Sequence, residues 1–392
     1  MSEEKKAPKG SVKGNFLLFF AFDVGDEIDL LQLRRRRLVP VTVPQVSSYF
    51  KNYHKPLAFD VADCYEGGAA SRTDCVSSKV HTFGVISFCY KVPFAGSLED
   101  AKSKFIEIYD QYSATSKQDA LAVFSTIKDA IIRPSFFNLR GEYFGVQVDP
   151  VSGLDPAEFK EMYAQNIASL IRFERESLSE YQQDAILSSS TGYYGEDMVV
   201  IDGQAAFVYD FEYFELIEFF ESATIQRLEL QYFDRLLDRK LNQFYSGDRL
   251  HIESYRSYIP MLKAQEDRLV EELARLRVDI SVIVDRLEGG FKLSGDPYYE
   301  EVYSMLVNKM QIKDWKESVA NKLEIVQDLC GIHKYKMETL RMEILTIVII
   351  VLVALEAWFA FARDHKPVDS VATNVVAAQI VEEEEEHINL RD

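Results

Sequence analysis

The amino-acid sequence predicts an α+β N-terminal domain, followed by a long antiparallel helical hairpin with coiled-coil character and one C-terminal transmembrane helix. Three observations predict this fold class. Segments rich in β-formers alternate with helical segments up to residue 210, a heptad pattern follows, and residues 344–362 are almost uninterruptedly apolar. The 392 residues are 27 % charged and 47 % hydrophobic. This composition is typical of a globular protein and excludes a polytopic membrane protein.

The α+β domain is predicted to span residues 15–210, after a short Lys-rich arm, residues 1–14, that we expect to be disordered. The apolar and aromatic run NFLLFFAFDV at 15–24 predicts a buried strand. A β-branched and aromatic run at 79–94 predicts another strand. Gly84 inside that run indicates a bulge or a close approach of two backbones.

Helices are predicted between these strands and the ones that follow. Ser97 is the expected N-cap of a first helix over residues 97–113, and a second helix over residues 116–132 is stopped by Pro134. A further helix is predicted over residues 155–187. Asp202 and Gly203 stand between two β-rich runs, which is a strong signal for a hairpin.

Residues 211–342 are predicted to be helical. Apolar residues recur there at spacings of 7 and then alternately 4 and 3, which is the pattern of a coiled-coil seam. The seam residues are Leu262, Leu269, Leu273, Leu276, Ile280, Ile283 and Leu287. We expect a long antiparallel hairpin whose second arm continues into the membrane segment. Through this helical region we expect a homo-oligomer or another protein partner to bind.

Residues 343–362 are predicted to form a transmembrane helix, with the lipid bilayer as its partner. At a rise of 1.5 Å per residue, its apolar part extends over roughly 28 Å, close to the hydrocarbon thickness of a bilayer. Glu343 lies where the helix begins. Trp358 lies near the other boundary, where aromatic side chains anchor a spanning helix.

Glu356 is the one charged residue inside the apolar stretch. A carboxylate at the bilayer centre costs about 3 kcal/mol on insertion scales. Glu356 lies only roughly 9 Å from the end of the stretch, so its side chain can extend toward the headgroups. Arg363, seven residues on, shares its helical face and is a candidate partner. A snorkelling residue, a proton relay and an interhelical contact in an oligomer all remain open.

The expected location is a membrane, with the N-terminal domain on the cytoplasmic side. The opening residues include Glu3 and Glu4 and have no apolar core, which argues against a secretory signal or a transit peptide. Basic residues flank both ends of the apolar stretch, so the distribution of positive charge does not decide the orientation. The large preceding domain favours a cytoplasmic N-terminus and an outer acidic tail over residues 363–392.

The net charge of −19 argues against a chain that wraps nucleic acid. The exception is a run of four arginines, Arg34, Arg35, Arg36 and Arg37. This run is compatible with a solvated turn, with contacts to anionic lipid, or with contacts to RNA phosphates.

No sequence motif for catalysis or for a cofactor is present, and we expect neither an enzymatic activity nor a cofactor. One set of potential metal ligands has a spacing that matches no familiar site, so we expect ordinary loop residues. These residues are Asp60, Asp63, Cys64, Cys75 and His81. The four cysteines are too few for a disulfide scaffold and are expected to be reduced.

Three segments carry a resemblance to a known family. They are KVHTFGVISFCY at 79–90, GDPYYEEVYSMLVNKMQIKDWKESVANKLEIVQDL at 295–329, and RMEILTIVIIVLVALEAWF at 341–359. With these segments the chain resembles the "required for meiotic nuclear division" family, an α/β domain of unknown function followed by helices and a C-terminal membrane helix. The resemblance is closer over residues 200–362 than over residues 15–210.

Two features depart from that family's pattern, and they make the chain resemble a bacterial or otherwise non-mitochondrial relative. Cys89 stands where the family tends to place Trp, and no mitochondrial targeting segment is present. The resemblance implies a membrane protein, with the bacterial inner membrane as the expected site. For eukaryotic members it implies a mitochondrial inner-membrane protein that supports organellar translation, and it implies no catalytic residues.

The leading functional hypothesis is therefore a membrane-anchored, non-enzymatic scaffold or assembly factor with a cytosol-facing α+β head. Two alternatives stay open. One is a membrane tether for a ribosome or RNA that binds through Arg34–Arg37, and the other is an enzyme with an unrecognised site in the head.

Overall fold

A computed structural model of the chain describes residues 10–44, 50–51, 55–65, 73–249, 264–290, 292–293 and 296–364. The chain divides into two compact units, Met1–Gln327 and Asp328–Asp392. Most of the predicted basic arm, residues 1–9, and the predicted acidic tail beyond residue 364 lie outside the described residues.

Most strands of the first unit form one mixed sheet. The strands are β1 (Val12–Asp23), β2 (Glu27–Ile28), β3 (Val41–Thr42), β4 (Phe50–Lys51), β5 (Leu57–Phe59), β6 (Cys75–Val80), β7 (Val85–Gly96), β8 (Ile131–Ile132), β9 (Arg140–Val148), β10 (Ser190–Thr191), β11 (Met198–Ile201), β12 (Ala205–Tyr209) and β13 (Lys292–Leu293). The large sheet has the order β10-β11-β12-β9-β1-β7-β6-β5-β3. Strand β12 runs parallel to β9, and β1 runs antiparallel to both β7 and β9.

Helices precede, separate and follow these strands. They are α1 (Leu30–Arg36), α2 (Leu98–Ile127), α3 (Pro156–Met162), α4 (Ala164–Arg172), α5 (Glu180–Leu187), α6 (Phe214–Arg249), α7 (Ala264–Gly290), α8 (Pro297–Lys309) and α9 (Ile312–Asp364). As predicted, Ser97 caps α2: its hydroxyl accepts from the Asp100 backbone N–H at 3.0 Å, and the Asp100 carboxylate reaches back to the Ser97 N–H.

The central strand β1 is buried on both faces, which explains why its sequence is a continuous apolar run rather than an alternating one. On one face, Phe16 packs against Phe105 of α2, with ring centroids 5.4 Å apart. On the other face, Phe19 packs against Phe220 of α6 at 5.8 Å. The sheet therefore lies between a layer containing α2 and α4 and a layer formed by α6.

The predicted strand at 79–94 is two strands. β6 ends at Val80, and a turn over residues 81–84, with the Gly84 N–H donating to the His81 carbonyl at 3.3 Å, leads into β7. The predicted close backbone approach at Gly84 is present. A Cβ there would lie 1.7 Å from the carbonyl oxygen of Gly25, and the φ of Gly84 is +90°. Only glycine fits this position.

The two helices predicted between Ser97 and Pro134 are one helix, α2. The expected break fails because Ser116 satisfies its hydroxyl within the helix, donating to the Ser113 carbonyl at 3.2 Å. The helix ends at Ile127, before Pro134 is reached.

The helix predicted over residues 155–187 is three shorter ones, α3, α4 and α5. Tyr163 leaves helical geometry between the first two, and Phe173 adopts a left-handed conformation, with φ of 60°, at the end of α4. The predicted hairpin at Asp202 and Gly203 is confirmed by the antiparallel pairing of β11 and β12.

After residue 210 the chain is largely helical, and the first of these helices belongs to the sheet's core. The side chain of Arg227 on α6 donates to the Glu142 carbonyl of β9 at 2.6 Å. Lys240 of α6 contacts Glu272 of α7 at 2.6 Å, and Lys322 of α9 contacts Asp234 of α6 at 2.7 Å. The predicted boundary after residue 210 stays a prediction about domain organisation.

Some residues of the predicted heptad seam are buried against the rest of the protein. Leu273 and Ile280 of α7 are buried, Leu262 lies outside the described residues, and the side chains of Leu269 and Leu287 are not described. The structure does not establish a coiled-coil hairpin, which stays a prediction.

The apolar stretch predicted from sequence is helical and lies within α9. The region Ile312–Phe361 is long and apolar enough to cross a membrane, by length and composition. None of its most apolar 18-residue window is buried in protein. The fold therefore combines an N-terminal mixed-sheet domain with one long apolar C-terminal helix.

Candidate functional site

A groove opens on the α6 side of the sheet, where β5, β6 and β7 meet the residues at the start of α6. Its volume is about 820 Å³, near the upper end of the range for small-molecule pockets. The side chain of Phe59 on β5 and those of Lys79 on β6 and Lys91 on β7 contribute to its walls. Tyr213 and Glu218, at the start of α6, contribute to the wall on the other side.

A buried polar network lies behind one wall of this groove. The Lys79 ammonium contacts a carboxylate oxygen of Glu221 at 2.5 Å, and the Ser87 hydroxyl donates to the other oxygen at 2.6 Å. Nε2 of His81 lies 2.9 Å from the Ser87 Oγ. Strand pairing produces this network, because Lys79 lies opposite Ser87 in the β6–β7 ladder and both face α6.

The charges in this network stabilise each other. Burial lowers the pKa of Lys79, but the adjacent Glu221 carboxylate outweighs burial and raises it overall. Burial raises the pKa of Glu221, but Lys79, His81 and the hydrogen bond from Ser87 together outweigh burial and lower it. Burial lowers the pKa of His81 to about 4, so its imidazole is neutral at neutral pH. The pair is therefore ionised and the histidine uncharged.

The orientation of the Ser87 hydroxyl decides what the network can do chemically. Because this hydroxyl donates to Glu221, His81 must donate its Nε2 proton to the Ser87 oxygen. A serine nucleophile needs the opposite arrangement, in which the histidine accepts the hydroxyl proton. Both side chains are also fully buried. The network therefore holds α6 on the sheet, and it reaches the groove through Lys79.

The groove has exposed aromatic side chains, and most of its charged lining residues are acidic. Phe211 and Phe214 contribute to its lining and are 65 % and 62 % exposed. Two lysines and four carboxylic acids contribute to the lining, and the acids are Asp60, Glu212, Glu215 and Glu218. The Lys91 ammonium lies 5.5 Å from the centre of the Tyr213 ring. Exposed aromatic residues beside charged groups are characteristic of surfaces that bind partners.

The four predicted arginines lie together on the surface. Arg34, Arg35 and Arg36 form the last turn of α1, and Arg37 caps it in a left-handed conformation with φ of 50°. All four are exposed, and Arg36 lies 3.9 Å from Asp129 in an exposed ion pair. Positive charge is favourable at a helix C-terminus, which explains why this short helix tolerates the run.

The predicted membrane residues all lie on α9. Glu343, Glu356 and Trp358 are exposed, and Trp358 is 69 % exposed. Arg363 lies in the last turn of α9, and its side chain is not described. Thr346 satisfies its hydroxyl within the helix by donating to the Met342 carbonyl at 2.8 Å.

Three of the residues considered as metal ligands, Asp60, Asp63 and Cys64, lie in one helical turn, and Cys75 and His81 lie elsewhere. Cys64 is buried, and burial raises the pKa of its thiol to about 12. The Cys75 thiol donates to the Ser77 carbonyl at 3.6 Å, and His81 belongs to the buried network. Among the residues that the structure describes, no group of three or more His, Cys, Asp or Glu side chains could hold a metal ion.

The groove and its network were not predicted from sequence. The signal was the placement of Lys79, His81 and Ser87 within otherwise apolar strands. Each of these side chains must find a buried partner, and Glu221 on an amphipathic helix more than 130 residues away provides one.

A family described as "Uncharacterized protein MJ0711, N-terminal domain" matches residues 13–215. The Uncharacterized protein MJ0711 of Methanocaldococcus jannaschii is 25 % identical over 211 residues, which is 53 % of this chain and 63 % of that protein. The chain thus spans less than two thirds of that relative's length. No solved structure matches the chain. The name "required for meiotic nuclear division" is not shown by these comparisons.

Proposed function

We propose that this chain, which belongs to the family of the MJ0711 N-terminal domain, is a membrane-anchored, non-enzymatic binding protein. The C-terminal helix anchors it in a bilayer, and the head binds a protein partner as a scaffold or assembly factor. One observation carries the proposal: the most apolar window of α9 is 18 residues long, and none of it is buried in protein.

Water is a poor solvent for such a helix. Transfer of apolar surface from water to hydrocarbon is favourable by about 25 cal/mol per Å². Side chains such as Ile350, Leu352 and Val353 are more than half exposed and would all contribute. Thr346 already bonds its own helix, so its hydroxyl adds little cost in lipid. Glu356 costs about 3 kcal/mol on insertion scales, and less if it reaches the headgroups or Arg363.

The groove supports the binding role of the head. The exposed side chains of Phe211 and Phe214 lose little conformational entropy on binding and would bury large apolar areas on contact with a partner. The hydroxyl of Ser87 is committed to Glu221, which favours binding over acyl-transfer chemistry. An enzyme that uses other groove residues stays the alternative hypothesis. Turnover of a small molecule by the purified protein, abolished by Lys79→Met, would support it.

The anchor is tested by fractionation with two truncations. Full-length protein should pellet with membranes and resist carbonate extraction, and a chain ending at residue 342 should be released. A chain ending at residue 364 keeps the apolar helix and lacks only the acidic tail, so it should behave like the full-length protein. Soluble full-length protein would contradict the anchor. Release of the chain that ends at residue 364, which keeps the apolar helix, would contradict it as well.

The binding head is tested by a photo-crosslinking residue placed at Phe214 in native membranes. The expected result is a discrete protein adduct, and the same residue at Tyr181, which is exposed elsewhere on the head, should give none. Equal labelling at both positions, or adducts to lipid alone, would contradict a partner site in the groove.

A second candidate function rests on the exposure of all four arginines of α1. They would tether a ribosome or RNA to the membrane through phosphate contacts, whose affinity falls steeply with salt. Replacement of Arg34–Arg37 by Ser should then abolish salt-sensitive co-sedimentation with ribosomes. Unchanged co-sedimentation would remove this candidate.

We also propose four further properties that the sequence indicates. These are a cytoplasmic head, the bacterial inner membrane, self-association through the helical region, and kinship with the "required for meiotic nuclear division" family. Protease treatment of sealed, inside-out vesicles tests the first: a cytoplasmic head is digested, and an outer head is protected.

A further inference from the structure

Four tyrosines from two distant parts of the chain form one aromatic patch on the head. Tyr193 and Tyr194 lie in the loop between β10 and β11, and Tyr298 and Tyr299 lie in the first turn of α8. The Tyr193 ring centroid is 4.5 Å from that of Tyr194 and 5.1 Å from that of Tyr298. Tyr194 is 72 % exposed and Tyr193 about half, so a partner can contact both side chains.

The loop that carries two of these rings is held in place. The buried Asp197 carboxylate accepts from the backbone N–H groups of Tyr193 and Tyr194, the first at 2.7 Å. Gly192 packs so closely that a Cβ there would lie 2.5 Å from the Asp197 carbonyl oxygen. The Thr191 hydroxyl donates to Glu301 of α8 at 3.1 Å.

The other half of the patch is fixed to the core. The Tyr299 ring stacks on the buried Phe219 of α6, with centroids 5.3 Å apart and planes inclined by 7°. The Tyr193 hydroxyl donates to Asp296, the residue that caps α8, at 3.3 Å. A rigid aromatic surface loses little conformational entropy on binding, which favours its use as an interface.

The surroundings of the patch are acidic. Burial is the main cause of a raised pKa for the Tyr298 hydroxyl, and Asp197, Asp210 and Glu301 add to it. The carboxylate of Asp296 also lies at the patch. Negative charge around ring faces repels phosphate groups and attracts cations, which bind aromatic faces through the ring quadrupole.

We propose that the tyrosine patch, Tyr193, Tyr194, Tyr298 and Tyr299, is a docking site for an arginine-rich segment of a protein partner. Arginine fits better than lysine because its planar guanidinium stacks on a ring and bonds carboxylates at the same time. All four tyrosines belong to the first unit of the chain, and the proposal does not rest on the proposed anchor.

The test uses full-length protein in detergent micelles and a fluorescent peptide of about nine arginines, with binding followed by anisotropy. Tyr194→Ser should weaken binding at least threefold, because one exposed cation–π contact is worth about that factor. Tyr181→Ser is the matched control, since Tyr181 is 78 % exposed on α5, outside the patch, and this variant should bind like the parent. A lysine peptide of equal length should bind more weakly than the arginine peptide.

Several outcomes would overturn the proposal. Equal weakening by Tyr181→Ser would show that the peptide contacts exposed tyrosines in general and not this patch. An unchanged affinity in Tyr194→Ser would show that the patch does not bind it. Binding of oligouridylate or of phosphatidylserine vesicles that depends on Tyr194 would assign the patch to RNA or to lipid instead.

Discussion

Two buried carboxyl groups predict an unusual dependence of stability on pH. Asp23 ends β1, and Glu229 lies on α6, and both are almost completely buried. Asp23 accepts from the Gly25 N–H at 3.0 Å, whereas Oε1 of Glu229 accepts no hydrogen bond within the described residues. The nearby cation, Arg133, is ion-paired with Asp26.

Burial, together with the charge of Asp26, raises the pKa of Asp23 from 3.8 to about 8. Burial also raises the pKa of Glu229, with Asp23 as the next cause. The surroundings of the pair also include Asp26, Arg133, Asp279 of α7, and Tyr232 and Arg239 of α6.

The sign of the effect follows from the direction of these shifts. Below pH 4 the carboxyl of Asp23 is protonated in both states and has no influence. Between pH 4 and pH 8 the unfolded chain has released this proton and the folded protein still holds it, so rising pH favours unfolding. The shift of about four pH units corresponds to an upper limit of roughly 6 kcal/mol for this group.

Asp23→Asn removes the proton and keeps an oxygen that can accept from Gly25. We expect this variant to be more stable than the parent at pH 8 by at least about 2 kcal/mol, or roughly 4–8 °C in Tm, with the difference vanishing near pH 4. The assay is thermal unfolding of full-length protein in detergent between pH 4 and pH 8.5. Asp129→Asn, which changes an exposed carboxylate, is the control and should give no such trend. Parallel pH profiles of Tm for the parent and Asp23→Asn would show that the pKa of Asp23 is not raised in the folded protein.

Two further predictions concern the packing of the head. Gly84→Ala should lower the unfolding free energy by more than about 2 kcal/mol, because its Cβ would meet the Gly25 carbonyl at a left-handed φ; denaturation that matches the parent would contradict this. Glu221→Gln should cost about 3–5 kcal/mol because it strands the buried Lys79, whereas the double variant Lys79→Met, Glu221→Leu should recover much of that loss. Thermal unfolding of the parent, the single variant and the double variant measures these differences. A double variant no more stable than Glu221→Gln would contradict the attribution of the loss to an unpaired, buried Lys79.

Local patterns in the sequence predict much of the head. The apolar run of β1, the Ser97 cap and the hairpin at Asp202 depend on residues that are neighbours in the chain, and the structure confirms each. The incorrectly predicted helix boundaries lie where the conformation differs from the usual preference of the residue at that position. Ser116 bonds its own helix and removes an expected break, and Phe173 ends a helix without glycine or proline.

The candidate sites depend on contacts between distant residues. Ser87 and Glu221 are 134 positions apart, and Tyr193 and Asp296 are 103 apart. The paired tyrosines flanked by acidic residues are visible in the sequence at both places, but nothing local indicates that the two pairs meet. Prediction of α9 as an apolar helix required only its composition, and for that reason it succeeded.

The measurement that tests the anchor most directly is quenching of Trp358 by brominated lipids. The chain has two tryptophans, so Trp315→Phe leaves Trp358 of α9 as the sole reporter, and Trp358→Phe leaves Trp315 in the head as the control. In reconstituted vesicles, bromolipid should strongly quench Trp358 and leave Trp315 bright. Unquenched Trp358 emission, equal to that of Trp315, would contradict a membrane-inserted helix.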